Sequence, residues 1–359
     1  MTTPVRRGMG AYMSRVLQLI TVLLASATVG VIAFGKSPYK DKATDRSAET
    51  TEGARPVLWR EPADLEAPRD LFYGIGGPKH APRPGTFKFI KEDLDGSNPK
   101  YLVRDDAGVK WKIKLGTEAK PEVAATRIVW AAGYFTDEDY FLPEVRVQGL
   151  PGNLHRGQKL FAPDGTVRDV RLKREEKGDA KEGVWKWKRD PFTGTREFNG
   201  LRVMMALINN WDVKDDNNLI YEKVDGPSGV PEEIYMVKDL GASFGTPGFA
   251  RGDRAKGNLE SYRHSKFITK TTADYVSFAT PSRPALAVLV NPLRYAYRMR
   301  LRWVGRNIPR SDVKWVGSIL ARLSPNQVRD AFRAAGCSQR EVEGFAGIIQ
   351  NRIAALNDL

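Results

Sequence analysis

The stretch best equipped for chemistry is Asn210-Trp211-Asp212-Val213-Lys214-Asp215-Asp216-Asn217, followed further on by Asp239-Leu240-Gly241. An Asp with an Asn five positions on, then a second Asp entering Leu-Gly, is the set that phosphoryl transfer from a nucleotide–metal complex needs. One carboxylate handles the proton of an acceptor hydroxyl, while an amide oxygen and a second carboxylate hold the metal on the phosphates. The flanking residues supply a way to bring these groups together. Asn218-Leu219-Ile220-Tyr221 and Ile234-Tyr235-Met236-Val237-Lys238 read as two short strands, and the intervening Asp225-Gly226-Pro227-Ser228-Gly229 is strongly turn-forming. A hairpin of this kind brings Asn217 and Asp239 close at its open end, the geometry that a shared magnesium ion requires.

On these residues the chain resembles the protein-kinase-like superfamily. The Asp212-x-x-x-x-Asn217 loop, Lys214 two residues after the first Asp, and the later Asp239-x-Gly241 all fall in kinase order. The match is closer to the divergent branches (lipid-kinase-like, toxin-type and secretory-pathway kinases) than to ordinary protein kinases. The resemblance implies ATP and Mg2+ as cofactors, with Asp212 as catalytic base or hydroxyl-orienting carboxylate. Lys214 would then neutralise charge on the transferring phosphoryl group, and Asn217 and Asp239 would bind the metal.

The resemblance also asks for a strand Lys to hold the nucleotide phosphates and a helical Glu to position it. Lys114 is the first choice and Lys112 the second, because both point to the same face of the strand Val109–Leu115. Glu122 on the following helix is the best partner, with Glu118 as the fallback. An acidic residue so near a helix start also suits the helix macrodipole without any pairing. The chain departs from the ordinary pattern in three places. No Gly-x-Gly-x-x-Gly joins the first two strands, which leaves the Asp95–Asn98 turn as the only cover for the phosphates. Asn210-Trp211 stands where His-Arg normally precedes the catalytic Asp, so the Arg that reads activation-loop phosphorylation is missing. Thr280-Pro281-Ser282 is only a loose stand-in for Ala-Pro-Glu.

These residues need a scaffold, and the patterning supplies one. Phe87–Ile90, Tyr101–Arg104 and the alternating Val109–Leu115 read as three strands joined by turns at Asp95–Pro99 and Asp105–Gly108. Pro121 opens a helix running to about Gly133. Val145–Val147 and Val167–Leu172 add strands, and Trp185–Gly194 reads as a hinge. Thr195–Asn210 carries Leu201, Met204, Met205 and Ile208 at helical spacing and leads into the Asp212 loop. Val313–Leu323, Asn326–Ala335 and Gln339–Leu356 are amphipathic helices separated by Ser324-Pro325 and Gly336. The expected fold is therefore α+β and, by the resemblance, a two-lobed protein-kinase-like domain. A small antiparallel sheet lobe (86–190) would be joined to a larger, mostly helical lobe (191–359). An N-terminal apolar helix (1–36) and a tether or irregular strap (37–85) would precede them.

Composition bounds the partners. Hydrophobic content of 41% supports a real core, so wholesale disorder is excluded. The 57 basic against 43 acidic residues give a formal charge of +14, but without zinc-finger spacing or an RNP-type motif this reads as a solubilising surface around a phosphate-binding cleft. No specific nucleic-acid partner is expected. The single Cys337 rules out an intrachain disulfide, and His80, His155 and His264 are too scattered for a His-based metal site. Arg6, Arg7 and Arg15 precede an uncharged apolar run from Val16 to Gly35, long enough to cross a bilayer. It reads as a membrane anchor or a secretory signal, with the domain on the non-cytoplasmic side. The expected function is an ATP- and Mg2+-dependent phosphotransferase acting on an unidentified hydroxyl of a protein, lipid or sugar. The alternatives are a catalytically silent kinase-fold protein that binds a ligand and an envelope scaffold.

Overall fold

The computed structural model describes residues 54–62, 69–96, 98–175, 181–223, 230–246, 255–280 and 292–359. The Val16–Gly35 run, the Asp225–Gly229 turn and Pro281-Ser282 lie outside them. Among the described residues no helix is long and apolar enough to cross a membrane.

The chain enters through β1 (Arg55–Val57), which lies within the span expected as a tether or strap. Next come β2 (Thr86–Asp93), β3 (Lys100–Arg104), β4 (Lys110–Leu115), α1 (Ala119–Ala131), β5 (Phe135–Thr136), β6 (Asp139–Gln148) and β7 (Thr166–Arg174). Alternation turns Tyr101, Val103, Trp111, Ile113, Val170 and Leu172 to one side, where they pack with Phe87 and Val145 into a core of their own. The expected antiparallel sheet is instead a closed barrel in the order β2-β3-β4-β7-β6. A parallel seam between β2 and β6 closes it, with Thr86 opposite Arg146 and Lys88 opposite Gln148. Closure satisfies the backbone donors and acceptors that two free edges would expose.

The second core is larger. It gathers α2 (Arg196–Leu207), α5 (Arg310–Leu320), α6 (Pro325–Ala334) and α7 (Gln339–Asn357) with buried side chains from α3 (Leu259–Arg263). Helix α4 (Pro292–Arg300) lies between α3 and α5 in sequence. The Ser324 and Ser338 hydroxyls begin α6 and α7 in reciprocal capping boxes with Gln327 and Glu341. Helix α1 belongs to this core and not to the barrel's, through Val123, Ala124, Ala125, Ile128 and Val129, and it packs on α6. A small sheet of β11 (Ile268–Thr271), β12 (Tyr275–Phe278) and β13 (Ile308–Pro309) flanks it.

The predicted hairpin is present as β9 (Asn218–Lys223) and β10 (Glu232–Val237), antiparallel from Glu232 opposite Lys223 to Val237 opposite Asn218. β8 (Lys181–Gly183) pairs with the outer edge of β9, and β1 and β5 add to β10 in parallel. The entering segment also caps α1. Trp59 Nε1 donates to Ala132 O at 2.7 Å, the Arg60 amide to Gly133 O at 3.0 Å, and the Arg69 guanidinium to Trp130 O. Ala132 and Gly133 lie just past the end of the helix, where carbonyls have no partner within it. Gly133 is required here: its φ is +95°, and a Cβ would lie 2.3 Å from Arg60 O. Buried Glu232 receives Arg55 at 2.5 Å and also Arg60, which holds the segment to β10.

Trp59→Ala removes one cap and the edge-on contact with Trp315, whose ring centroid is 5.0 Å away. The expected loss is about 2–3 kcal/mol, read from the urea midpoint of the full chain. An unchanged midpoint would mean that the entering segment is not integral to the domain.

Candidate active site

Strand β4 turns Trp111, Ile113 and Leu115 into the barrel core and so presents Lys112 and Lys114 on its other face. Lys114 is fully buried there against the start of α1. Its Nζ donates to Glu122 Oε2 at 2.9 Å and Asp239 Oδ1 at 2.5 Å, and lies 2.6 Å from Glu118 Oε2. Glu118 and Glu122 are four residues apart and thus on one helical face, so both of the sequence alternatives serve the same lysine. Burial opposes the ammonium's charge, but Glu122, Asp239 and Glu118 together hold its pKa well above the ordinary lysine range. Lys112 shares the face but not the cluster: its Nζ lies 3.1 Å from Asp93 and 3.7 Å from Glu175. Two residues of strand rise, about 6.6 Å, separate Lys112 from Lys114, enough to leave Lys112 with Asp93 and Glu175 and not with α1.

The second oxygen of Glu122 accepts from Arg171 Nη2 at 3.1 Å, and Arg171 Nη1 lies 3.5 Å from Asp139 Oδ1. Beside them Lys173 pairs with Asp137. Neither carboxyl oxygen of Asp139 has a hydrogen bond among the described residues. Burial, reinforced by the nearby Glu122 and Asp137 charges and only partly opposed by Arg171, raises the Asp139 pKa to about 7.

Helix α2 starts on the Thr195 hydroxyl, which accepts from the Phe198 amide, and delivers the chain into the Asp212 loop. Its last carbonyls, on Ala206 and Leu207, accept from Arg352 Nη1 at 3.3 and 3.0 Å. Asn209 then adopts φ +55°, donates from Nδ2 to Gly245 O at 2.6 Å, and accepts from Trp211 Nε1 at 3.0 Å. The Asp212 amide donates to Asn210 Oδ1 at 2.9 Å, and Lys214 Nζ donates to Asp212 Oδ2 at 2.8 Å. Asn217 Nδ2 donates to Asp212 O at 2.7 Å, which leaves its amide oxygen as the outward donor atom.

The hairpin carries Asn217 to Asp239, because the Lys238 amide donates to Asn217 O at 2.9 Å one residue beyond the last strand pair. Asp239 sits at φ +56°, ψ +47°, a left-handed conformation uncommon for Asp and of the kind found at functional sites. Its side chain remains 39% exposed, with Oδ1 on Lys114. Partial burial would raise its pKa, but Lys114, with Lys100 and Arg171, holds the carboxyl well below the usual range. Gly241 lies against α1, where a Cβ would come 2.6 Å from that of Glu118. Only glycine lets the Asp239 turn approach the helix this closely.

The donors suit a hard cation. A carboxylate on Asp239 and an amide oxygen on Asn217, held on adjacent backbone positions, form the oxygen set that Mg2+ prefers. No protein-family model matches the chain, and no curated protein matches it. Its structural neighbours include kinases. The Helicobacter pylori proinflammatory kinase CtkA is similar over 77% of this chain and 98% of its own, at 10% identity and a TM-score of 0.43. The Golgi casein kinase is similar over 76% of this chain and 75% of its own, at 10% identity and a TM-score of 0.28. Likeness of that extent carries no argument about activity, which rests on the side chains of this molecule.

Sequence reading missed four contributors. Arg171, Asp139 and Lys173 lie on strands where alternation marked them only as polar, and Arg352 sits in the last helix, far along the chain. The paired Asn209-Asn210 was the one available signal, since Asn tolerates the left-handed region and caps turns through its side chain.

Asp139 yields a pH prediction. A carboxyl whose folded pKa lies above its unfolded value, about 3.9, makes the folded state hold more protons between about pH 4 and 7. Its contribution to stability is therefore full at low pH and is lost as pH rises through about 7. Asp139→Asn is expected to flatten the decline in urea midpoint from pH 5 to pH 8. Parallel profiles for the two proteins would show that Asp139 is already ionised when folded.

Proposed function

We propose that this chain is a divergent protein-kinase-like enzyme that transfers the terminal phosphoryl group of ATP, with Mg2+, to a hydroxyl acceptor. The observation that carries the reading is the buried Lys114 ammonium, joined to Glu122 on α1 and Asp239 at the hairpin end. It sits with a loop in which Asp212, Lys214 and Asn217 are mutually hydrogen-bonded. Lys114 would hold the nucleotide phosphates, with Glu122 fixing its position. Asp239 and Asn217 would hold Mg2+, which supplies charge neutralisation on the phosphates. Asp212 would accept the acceptor's proton as the new O–P bond forms and the bond to the departing ADP breaks, while Lys214 offsets charge on the transferring group. A protein, lipid or sugar hydroxyl each fits this chemistry. The same proposal takes the Val16–Gly35 run as the anchor or export signal of a domain on the non-cytoplasmic side.

Two substitutions separate binding from chemistry. Asp239→Ala is expected to abolish the magnesium-dependent binding of a fluorescent ATP analogue. Asp212→Asn is expected to keep that binding while lowering phosphoryl transfer, measured as autophosphorylation or ATP hydrolysis, by about 10²–10⁴-fold. Nucleotide binding indifferent both to magnesium and to Asp239→Ala, in folded proteins, would remove the basis of the reading.

A further inference from the structure

Lys100 opens β3 directly opposite Lys114 of β4, and directly opposed residues in an antiparallel pair project to the same face. Its side chain is therefore on the Lys114 side of the barrel, beneath the Asp95–Pro99 turn, where a Cβ on Gly96 would lie 3.5 Å from its Nζ. The turn is tied down at both ends. Asn98 Nδ2 donates to Glu118 Oε2 at 2.6 Å, and the Arg156 guanidinium donates to Asp93 O at 2.7 Å and to Gly96 O.

This turn occupies the place where a glycine-rich loop would cover phosphates with backbone amides, and two of its described positions have no amide to give. Pro99 has none, and the Asp95 amide is taken by Asp93 Oδ1 at 3.0 Å. Lys100, by contrast, has a half-buried ammonium that makes no hydrogen bond or ion pair among the described residues. Burial lowers its pKa, and the Lys114 and Arg171 cations add to that lowering, while Asp239 is its strongest carboxylate influence. A half-buried ammonium set by strand register on the Lys114 face, with no carboxylate bound to it among the described residues, is one that a polyanion would complete.

We infer that Lys100 is a second phosphate-binding cation, which pairs with Lys114 to grip the terminal phosphates of a nucleoside triphosphate in place of a glycine-rich loop. The inference deepens the proposed function and rests on it for the nucleotide. It assigns selectivity for triphosphate over shorter nucleotides to the Lys100 side chain.

The test titrates the full chain with ATP, adenosine and inorganic tripolyphosphate in the presence of magnesium, comparing wild type, Lys100→Ala and Lys100→Arg. Loss of a charge-assisted contact is expected to weaken ATP and tripolyphosphate about ten- to a hundredfold in Lys100→Ala. Adenosine binding should be unchanged, and Lys100→Arg should restore most of the lost affinity. ATP affinity in Lys100→Ala within twofold of wild type overturns the role of Lys100 and leaves the phosphotransferase reading standing. Tripolyphosphate bound through Lys100, with no binding of any nucleotide, supports the anion grip and overturns the nucleotide reading. No binding of either anion to folded wild type overturns both.

Discussion

One buried ammonium organises the site. Lys114 is reached by carboxylates from the start of α1 and from the end of the β9–β10 hairpin, so strand, helix and hairpin meet on a single charge. A buried ion pair is stable only while its partners stay in place, because removing one leaves an uncompensated charge at a cost of about 3–5 kcal/mol. That penalty couples elements far apart in the chain. It sets where α1 sits over the barrel, how close the Asp239 turn must come, and why residue 241 has no side chain. Arg171 extends the constraint by occupying the second oxygen of Glu122, which leaves the glutamate no freedom to rotate away.

The position of α1 is set from behind as well. The helix buries its apolar face in the large helical core, and its last carbonyls are capped by Trp59, Arg60 and Arg69 from the entering segment. Gln327 on α6 donates to Arg69 O at 3.0 Å and so links that segment to the helical core. Packing and capping thus help to hold the Glu122–Lys114 pair in place.

The loop around Asp212 uses substitutes in the same spirit. Asn209 takes a left-handed turn and binds Gly245 O, Trp211 leans on Asn209, and Arg352 caps the helix that feeds the loop. The Arg352 guanidinium is itself held over Tyr262, 4.2 Å from the ring centroid, and over Phe267 at 4.9 Å. The loop's shape therefore depends on the C-terminal helix through Arg352.

Much of the site was legible in the sequence because its parts are local. Asp212, Lys214 and Asn217 lie within six residues of chain, so their closeness follows from spacing, while their hydrogen bonds to one another appear only in the fold. The hairpin joining Asn217 to Asp239 follows from two short apolar strands around a turn-rich linker, and strand alternation put Lys112 and Lys114 on one face. Sequence could rank Lys114 over Lys112 but could not see that Glu118 and Glu122 both serve Lys114, because that depends on where α1 comes to rest. Nor could it show the parallel β2–β6 seam, the capping of α1 by Trp59, Arg60 and Arg69, or the placement of Arg171, Arg352 and Lys100. Periodicity reports which face of an element a residue occupies. Which foreign element then meets that face is decided by long-range packing and by the cost of leaving a buried charge unpaired, and those are settled only in the folded molecule.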